Sequence, residues 1–421
     1  MGASLRMTFA VLSLAAMTLS ATAAPLPSDP RAAKAVQDYL RQQQAEDSKD
    51  KDERVAAHLD ALRIAGAAVQ PLLAKELELG APGAFFVAAW LRLMGGGVDD
   101  GAAPVPTRPL IAALAWGDAA YAIEGIRREL RKDDEARAAA IAALGARRSD
   151  PGAALDNMLD EPAALVRARA YRTVGQLGRM DLTGRLAPGL KDEDPGCRFW
   201  CAWAAARMAA DEPLNVLADI AWNNLACADR ALDLLLRRLD VPQANDWLRQ
   251  FAKLPDRQRD LIRATGVIGD PLYIPWLIER MAEPVTARLA GESFSMITGL
   301  DLAYLDLDCA APDDFDAGPN DDPADENVAL DEDENLPWPD PGLIGQWWAA
   351  NRSRFTVGTA YFLGLPKQSA DWLLALSDAF QRRRRAAALE LAIRQPDKAM
   401  FEVRARGRLQ RRLLARATGA M

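Results

Sequence analysis

Leu159-Asp160-Glu161-Pro162 leads into Val166-Arg167-Ala168-Arg169-Ala170 and on to Val174-Gly175. About 30 residues later, Leu190-Lys191-Asp192-Glu193-Asp194-Pro195 leads into Cys197-Arg198-Phe199-Trp200-Cys201 and on to Ala205-Ala206. Each passage reads as an acidic turn with a proline, then an arginine, then a helix with small residues along one face. A pattern of this period marks a helical solenoid, in which each unit buries its apolar face on its neighbours.

The register extends outward from that pair. Ala136-Arg137 with Leu144-Gly145 is the preceding copy, and Thr265 to Pro271 is a later one. Leu235-Leu236 and Ile297-Thr298-Gly299 are weaker copies downstream, and Ala65-Gly66, Met94-Gly95 and Trp116-Gly117 are weaker ones upstream. The step from Gly95 to Gly117 is short, so the register slips there. Asp134 with Arg137, Asp160 with Arg167, and Asp192 or Asp194 with Arg198 are read as ion pairs that bridge adjacent units like rungs, a structural role.

A chain of 421 residues exceeds one ordinary hydrophobic core, a limit a solenoid escapes because it grows by addition. Half of it is hydrophobic with few aromatics, and Ala and Leu dominate, which is helix composition. The net charge of −8 argues against a general nucleic-acid binder, which needs a basic groove. At the N-terminus Arg6 precedes an apolar run from Met7 to Leu19 and the small-residue box Ala21-Thr22-Ala23. That reads as a secretory signal peptide cleaved after Ala23, too short for a stable membrane span. The chain is therefore expected to be periplasmic or exported, the alternative being cytoplasmic.

The expected organisation is a signal peptide at 1–23, an N-terminal helix and linker at 24–53, helical repeats at 54–300, an acidic, irregular insertion at 301–340 and a basic helical cap at 341–421. No Lys or Arg occurs between Asp301 and Asp340, while acids gather there among prolines and glycine. Arg382-Arg383-Arg384-Arg385 follows, and the tail adds Arg404, Arg406, Arg408, Arg411, Arg412 and Arg416. The acidic insertion and the arginine helix are expected to meet as a salt-sensitive pair.

Chemistry is sparse. The single histidine, His58, sits on the first helix pair away from any Cys or Ser cluster, and no phosphate-binding or dinucleotide motif is present. Cys197 and Cys201 share one helix face, where a bond between them would be strained, and with Cys227 they make an incomplete zinc set. Small buried core thiols are expected instead. Asp313-Asp314-Phe315-Asp316 and Asp331-Glu332-Asp333-Glu334 are rich in hard-cation ligands but lack the calcium-loop order. No catalytic, cofactor or metal residue is assigned. Candidate protein-binding residues are Phe199, Trp200, Trp203, Trp338, Trp347 and Trp348, since Trp is favoured at binding anchors. Arg382, Arg383, Arg384 and Arg385 are added to them.

The passages at Leu159–Met208 and Arg259–Met281 resemble the HEAT-type helical repeat. The block Ala290 to Leu302, continuing through Gly318-Pro319-Asn320-Asp321-Asp322-Pro323 to Leu336-Pro337-Trp338-Pro339-Asp340-Pro341, looks like a proteobacterial family of HEAT-like proteins of uncharacterised function. His58 to Gly66 fits it also. Members are often associated with type VI secretion loci, which implies a role beside a secreted effector or spike component. That family ordinarily begins without a signal peptide, and this N-terminus departs from it. The expectation is an all-α, right-handed solenoid of HEAT-like helix pairs with an acidic loop and a helical C-terminal cap. It would act as a non-enzymatic scaffold for another protein, with no cofactor and no nucleic acid. The alternatives are a metal-dependent enzyme built on the insertion and a HEAT-like nucleic-acid-binding protein.

Overall fold

The computed structural model describes residues 53–95, 105–117, 119–312, 315 and 331–417. The expected signal peptide, the linker up to Asp52, and Asp313, Asp314 and 316–330 of the insertion lie outside the described residues. The first helices are α1 (53–65), α2 (Gln70–Glu78), α3 (Pro82–Leu93), α4 (Thr107–Trp116), α5 (Ala119–Glu129), α6 (Asp134–Arg147), α7 (Ala153–Asn157), α8 (Ala164–Leu177) and α9 (Pro195–Arg207). They are followed by α10 (Pro213–Trp222), α11 (Ala228–Arg238), α12 (Val241–Phe251), α13 (Gln258–Ile268), α14 (Ile274–Arg280) and α15 (Pro284–Thr298). After the insertion come α16 (Pro341–Asn351), α17 (Trp372–Asp378), α18 (Gln381–Arg394) and α19 (Gly407–Ala417). Among the described residues no strand precedes Asp308, and the fold is an all-α solenoid of helix pairs. The described chain forms two compact units, one running to Leu217 and resuming at Trp372, the other spanning Ala218–Asp371.

In the first unit the helices after each acidic turn, α6, α8 and α9, pack side by side on small residues. Ala138, Ala139, Ala143 and Gly145 of α6, Ala170 and Gly175 of α8, and Ala202, Ala204 and Ala206 of α9 are all buried. The approach is close enough that a Cβ on Gly175 would lie 2.9 Å from Ala204 Cα and 2.7 Å from the Trp203 ring. Glycine inside a helix costs roughly 0.5–1 kcal/mol, which the tight helix contact offsets. Asp133 and Asp194 start α6 and α9 by accepting the Ala136 and Cys197 amides at 2.9 and 2.8 Å. Each cap contributes about 1 kcal/mol. Upstream, Leu59, Leu73, Val87, Trp90, Leu114 and Leu144 belong to one continuous core.

The end of the chain returns along this unit. The segment around 396–402 crosses the C-terminal ends of α6, α8 and α9, where the last carbonyls of a helix lack intrahelical amide partners. The Met400 N–H donates to Gln176 O at 2.8 Å. Arg207, fully buried, donates to Pro396 O at 2.9 Å and to Lys398 O, while Arg148 donates to Met400 O and pairs with Glu402 at 3.3 Å. Burial pulls the Arg207 guanidinium down to about 10, and the Arg148 charge adds to that effect while Asp397 opposes it.

In the second unit, Ile262, Ile274, Leu277, Phe294, Ile297, Ile344 and Tyr361 form the core. β1 (Asp308–Cys309) pairs antiparallel with β2 (Trp338–Pro339) and closes the neck of the acidic insertion. β3 (Tyr361–Phe362) and β4 (Leu365–Pro366) form a hairpin whose turn residues Leu363 and Gly364 both have positive φ, the geometry of a tight two-residue hairpin turn. This hairpin lies across the ends of α13 and α15. Tyr361 N–H donates to Gly269 O at 2.8 Å, Leu363 N–H to Met296 O at 2.8 Å, and Lys367 Nζ to Val267 O at 2.9 Å. Both units thus seal the C-terminal ends of their packed helices with a later stretch of chain.

Candidate functional site

The arginine that opens each packed helix falls at 137, 167, 198, 230, 259 and 288, close to one per repeat. Arg167 donates to Glu161 O at 2.8 Å and Pro162 O at 2.7 Å in its own turn, then grips Asp192 of the following turn with two bonds of 2.9 Å. Arg198 repeats the first half, donating to Asp192 O at 2.6 Å and Glu193 O at 2.9 Å. Arg137 bonds Asp134 at 3.1 Å and also reaches Glu161 of the following turn.

Of the pairs inferred from spacing, Asp134 with Arg137 forms, and the other two are corrected. Arg167 takes Asp192 and not Asp160, which pairs instead with Arg185. Asp194 is a helix cap and Arg198 rests on carbonyls. Sequence proximity suggested partners within a turn. The side-by-side packing of α8 and α9 brings the next turn nearer, and the guanidinium fork fits one carboxylate with two parallel bonds.

The Arg167 hydrogen bond holds the Asp192 carboxyl below its ordinary range, helped by the Asp194 amide and the Arg167 charge and opposed by burial. A carboxyl depressed in the folded state contributes stability above its unfolded pKa of about 4 and loses it as pH falls through the folded value. Asp192→Asn should cost about 2 kcal/mol at pH 7. Urea unfolding at pH 7 and near pH 3 should show the gap to the parent narrowing in acid. A gap of equal size at both values would mean that the pair does not stabilise the fold through charge.

The same constellation recurs in the insertion. Asp331-Glu332-Asp333 copies Asp192-Glu193-Asp194, and in each the first Asp accepts the third residue's amide at 2.9 Å while its other oxygen meets a repeat arginine. Here that arginine is Arg288, with Arg259 bonding Asp333 at 2.8 Å and Arg263 bonding Glu332 at 2.9 Å. Burial raises the Asp331 pKa, but the Asp333 amide and the Arg288 bond and charge outweigh it, so the carboxyl is held low. Arg288 also lies 4.5 Å from the Trp338 ring centre and 5.4 Å from that of Phe315, which adds cation–π attraction. Asp331, Glu332 and Asp333 are thus engaged by repeat arginines of their own unit. The acids complete the row of repeat arginines in α13 and α15. Among the described residues no cluster of His, Cys, Asp or Glu is arranged to hold a metal ion.

The aromatic candidates separate by burial. Phe199 and Trp203 are buried in α9 and are core residues, correcting their candidacy as surface anchors. Trp200 is half-buried beneath the Arg172 guanidinium at 4.5 Å. Trp347 packs edge-on to Phe294 at 5.9 Å, Trp348 lies 5.5 Å from Phe355, and Trp338 holds Arg288. In the arginine run, Arg383 is buried against Phe380, and Arg384 donates to Leu376 O at 2.7 Å and to Gln410, so both serve packing. Arg382 and Arg385 are exposed.

One aromatic pair escaped the sequence reading. Trp222 and Trp247 meet edge-on at 6.0 Å, Trp247 stacks on Phe251 at 4.8 Å, and Trp222 remains 38 % exposed. Trp247 borders an open depression with Leu239, Gln243, Asp246, Arg249 and Gln250. The available signal was their spacing, since they stand nearly one repeat apart on successive first helices of the pairs.

The thiols are positioned as packing groups. Burial pushes the Cys197 thiol up to about 12, with Asp192 and Asp194 adding to it, and raises Cys201 as well. They donate to Ala164 O at 3.2 Å and Leu186 O at 3.0 Å. A protonated, buried thiol is a poor nucleophile. His58 is half-buried on α1.

Residues 152–226 match the family of HEAT repeats, so this stretch of the chain is HEAT-repeat-like. No curated protein and no solved structure matches it. No helix among the described residues is long and apolar enough to cross a membrane.

Proposed function

We propose that this protein is a non-enzymatic scaffold that binds another protein along its helical repeats. The observation that carries the reading is the HEAT match over a stack whose arginines and acids hold successive units in register. Arrays of this kind serve as extended binding surfaces, because every repeat adds surface in a fixed orientation. Asp331, Glu332 and Asp333 of the insertion are engaged by arginines, which favours the scaffold over a metal-dependent enzyme. In its finer form the proposal follows the resemblance of Ala290–Leu302. The protein would be a type VI secretion accessory, acting as chaperone, adaptor or immunity protein for an effector or spike component, exported with residues 1–23 removed.

The test is affinity purification of the tagged full-length protein from its own cells, followed by reconstitution with the recovered protein. A stoichiometric complex between the two purified proteins is the expected result. Failure of any recovered protein to bind again when purified would overturn the scaffold reading.

A further inference from the structure

The starts of α18 and α19 are tied together, since Gln381 Nε2 donates to Val403 O at 2.9 Å, Gln410 Nε2 to the same oxygen at 3.1 Å, and Arg384 to Gln410. Around that junction Arg385, Arg404, Arg408, Arg411 and Arg412 are exposed. From Asp371 onward the chain has twelve Lys or Arg against five Asp or Glu, in a protein whose net charge is −8. Positive side chains near the start of a helix oppose the helix dipole, so the exposed Arg382 and Arg385 of α18 and Arg408 of α19 are not placed there for helix stability. They add instead to the positive end that attracts anions. Phe380, 51 % exposed, and Leu409, 39 % exposed, stand among them as apolar contacts.

We infer that this arginine face is the docking surface for an acidic segment of a partner protein. The inference rests on the scaffold reading and names the chemistry of the partner. Charge complementarity selects an anionic occupant. The exposed basic groups named are all arginine, whose planar fork pairs with carboxylates through two parallel bonds. The chain shows this mode itself where Arg167 takes Asp192 with two bonds, and Arg259, Arg263 and Arg288 take Asp331-Glu332-Asp333 with one bond each. A bilayer would favour a continuous exposed apolar stripe, whereas Leu413 and Leu414 of α19 are half-buried.

The probe is a fluorescent alternating Asp/Glu peptide, titrated by anisotropy into the full-length protein. Binding should weaken about tenfold between low and physiological salt as screening sets in. The variant Arg408→Gln/Arg411→Gln/Arg412→Gln should weaken it by roughly tenfold, three exposed charges each contributing a small factor. Arg259→Gln/Arg263→Gln, which alters the other arginine row, should leave it within about twofold. Equal binding by parent and triple variant would overturn the inference. So would tighter binding, through the same arginines, of phosphatidylglycerol vesicles or duplex DNA. A partner protein that binds parent and triple variant equally would discard the arginine face while leaving the scaffold intact.

Discussion

Gly175→Val should lower the melting temperature by roughly 5–10 °C, the equivalent of about 2–3 kcal/mol for a unit of this size. The Cβ alone would come within 2.9 Å of Ala204 Cα on the neighbouring helix and 2.7 Å of the Trp203 ring. Neither helix can withdraw without loosening contacts to the next, because α8 is packed between α6 and α9. Replacing glycine within a helix returns only about 0.5–1 kcal/mol of backbone entropy, so the clash decides the sign. Gly175→Ala should show the same effect at about half the size. Gly184 is the matched control, for an added Cβ there meets nothing within 4 Å. Calorimetry on Gly175→Val, Gly184→Ala and the parent separates the cases. Should the Val variant melt with the parent, the close helix approach is not what stabilises the first unit.

Gly269→Ala should cost about 3 kcal/mol, with the damage concentrated at the hairpin of the second unit. Gly269 ends α13 at φ +80, where an L side chain is strained, and a Cβ would lie 2.2 Å from Tyr361 O. The clash is with backbone, so no rotamer change relieves it. Tyr361 N–H must then give up Gly269 O, and with it the hairpin loses its register over α13 and α15. Lys367 provides a local reading, being buried and bonded to Val267 O. Trypsin should cut after Lys367 in the variant well before it does so in the parent. Identical cleavage patterns would show that the hairpin does not depend on this contact.

What the sequence revealed follows from the range of the interactions. The acidic turn, proline, arginine and small-residue helix are encoded within one repeat, so the solenoid and its row of arginines were readable from Asp160 to Arg198. The carboxylate that Arg167 takes was not, because Asp192 is placed by packing between helices. Arg382–Arg385 illustrates a limit of composition. Four successive helical positions turn about 100° each and go all the way round, so one of them had to face inward, and Arg383 does. The returning segment left no trace at all, since it is held largely through backbone carbonyls and amides that any residue supplies.

That return has a consequence for synthesis on the ribosome. Arg207 waits 189 positions for Pro396, and Arg148 waits 252 for Met400. At about 5–20 residues per second, the first of these intervals lasts roughly 10–40 s. Throughout it the nascent chain carries Arg207, buried in the finished fold, before its acceptors exist, and Arg148, half-buried there, with only Gly145 O to bond. All of Ala218–Asp371 emerges in the meantime, so the unit that starts first is the last to be completed. Truncated or stalled chains therefore share one defect, an open row of helix ends, by which chaperones and proteases can tell them from finished molecules.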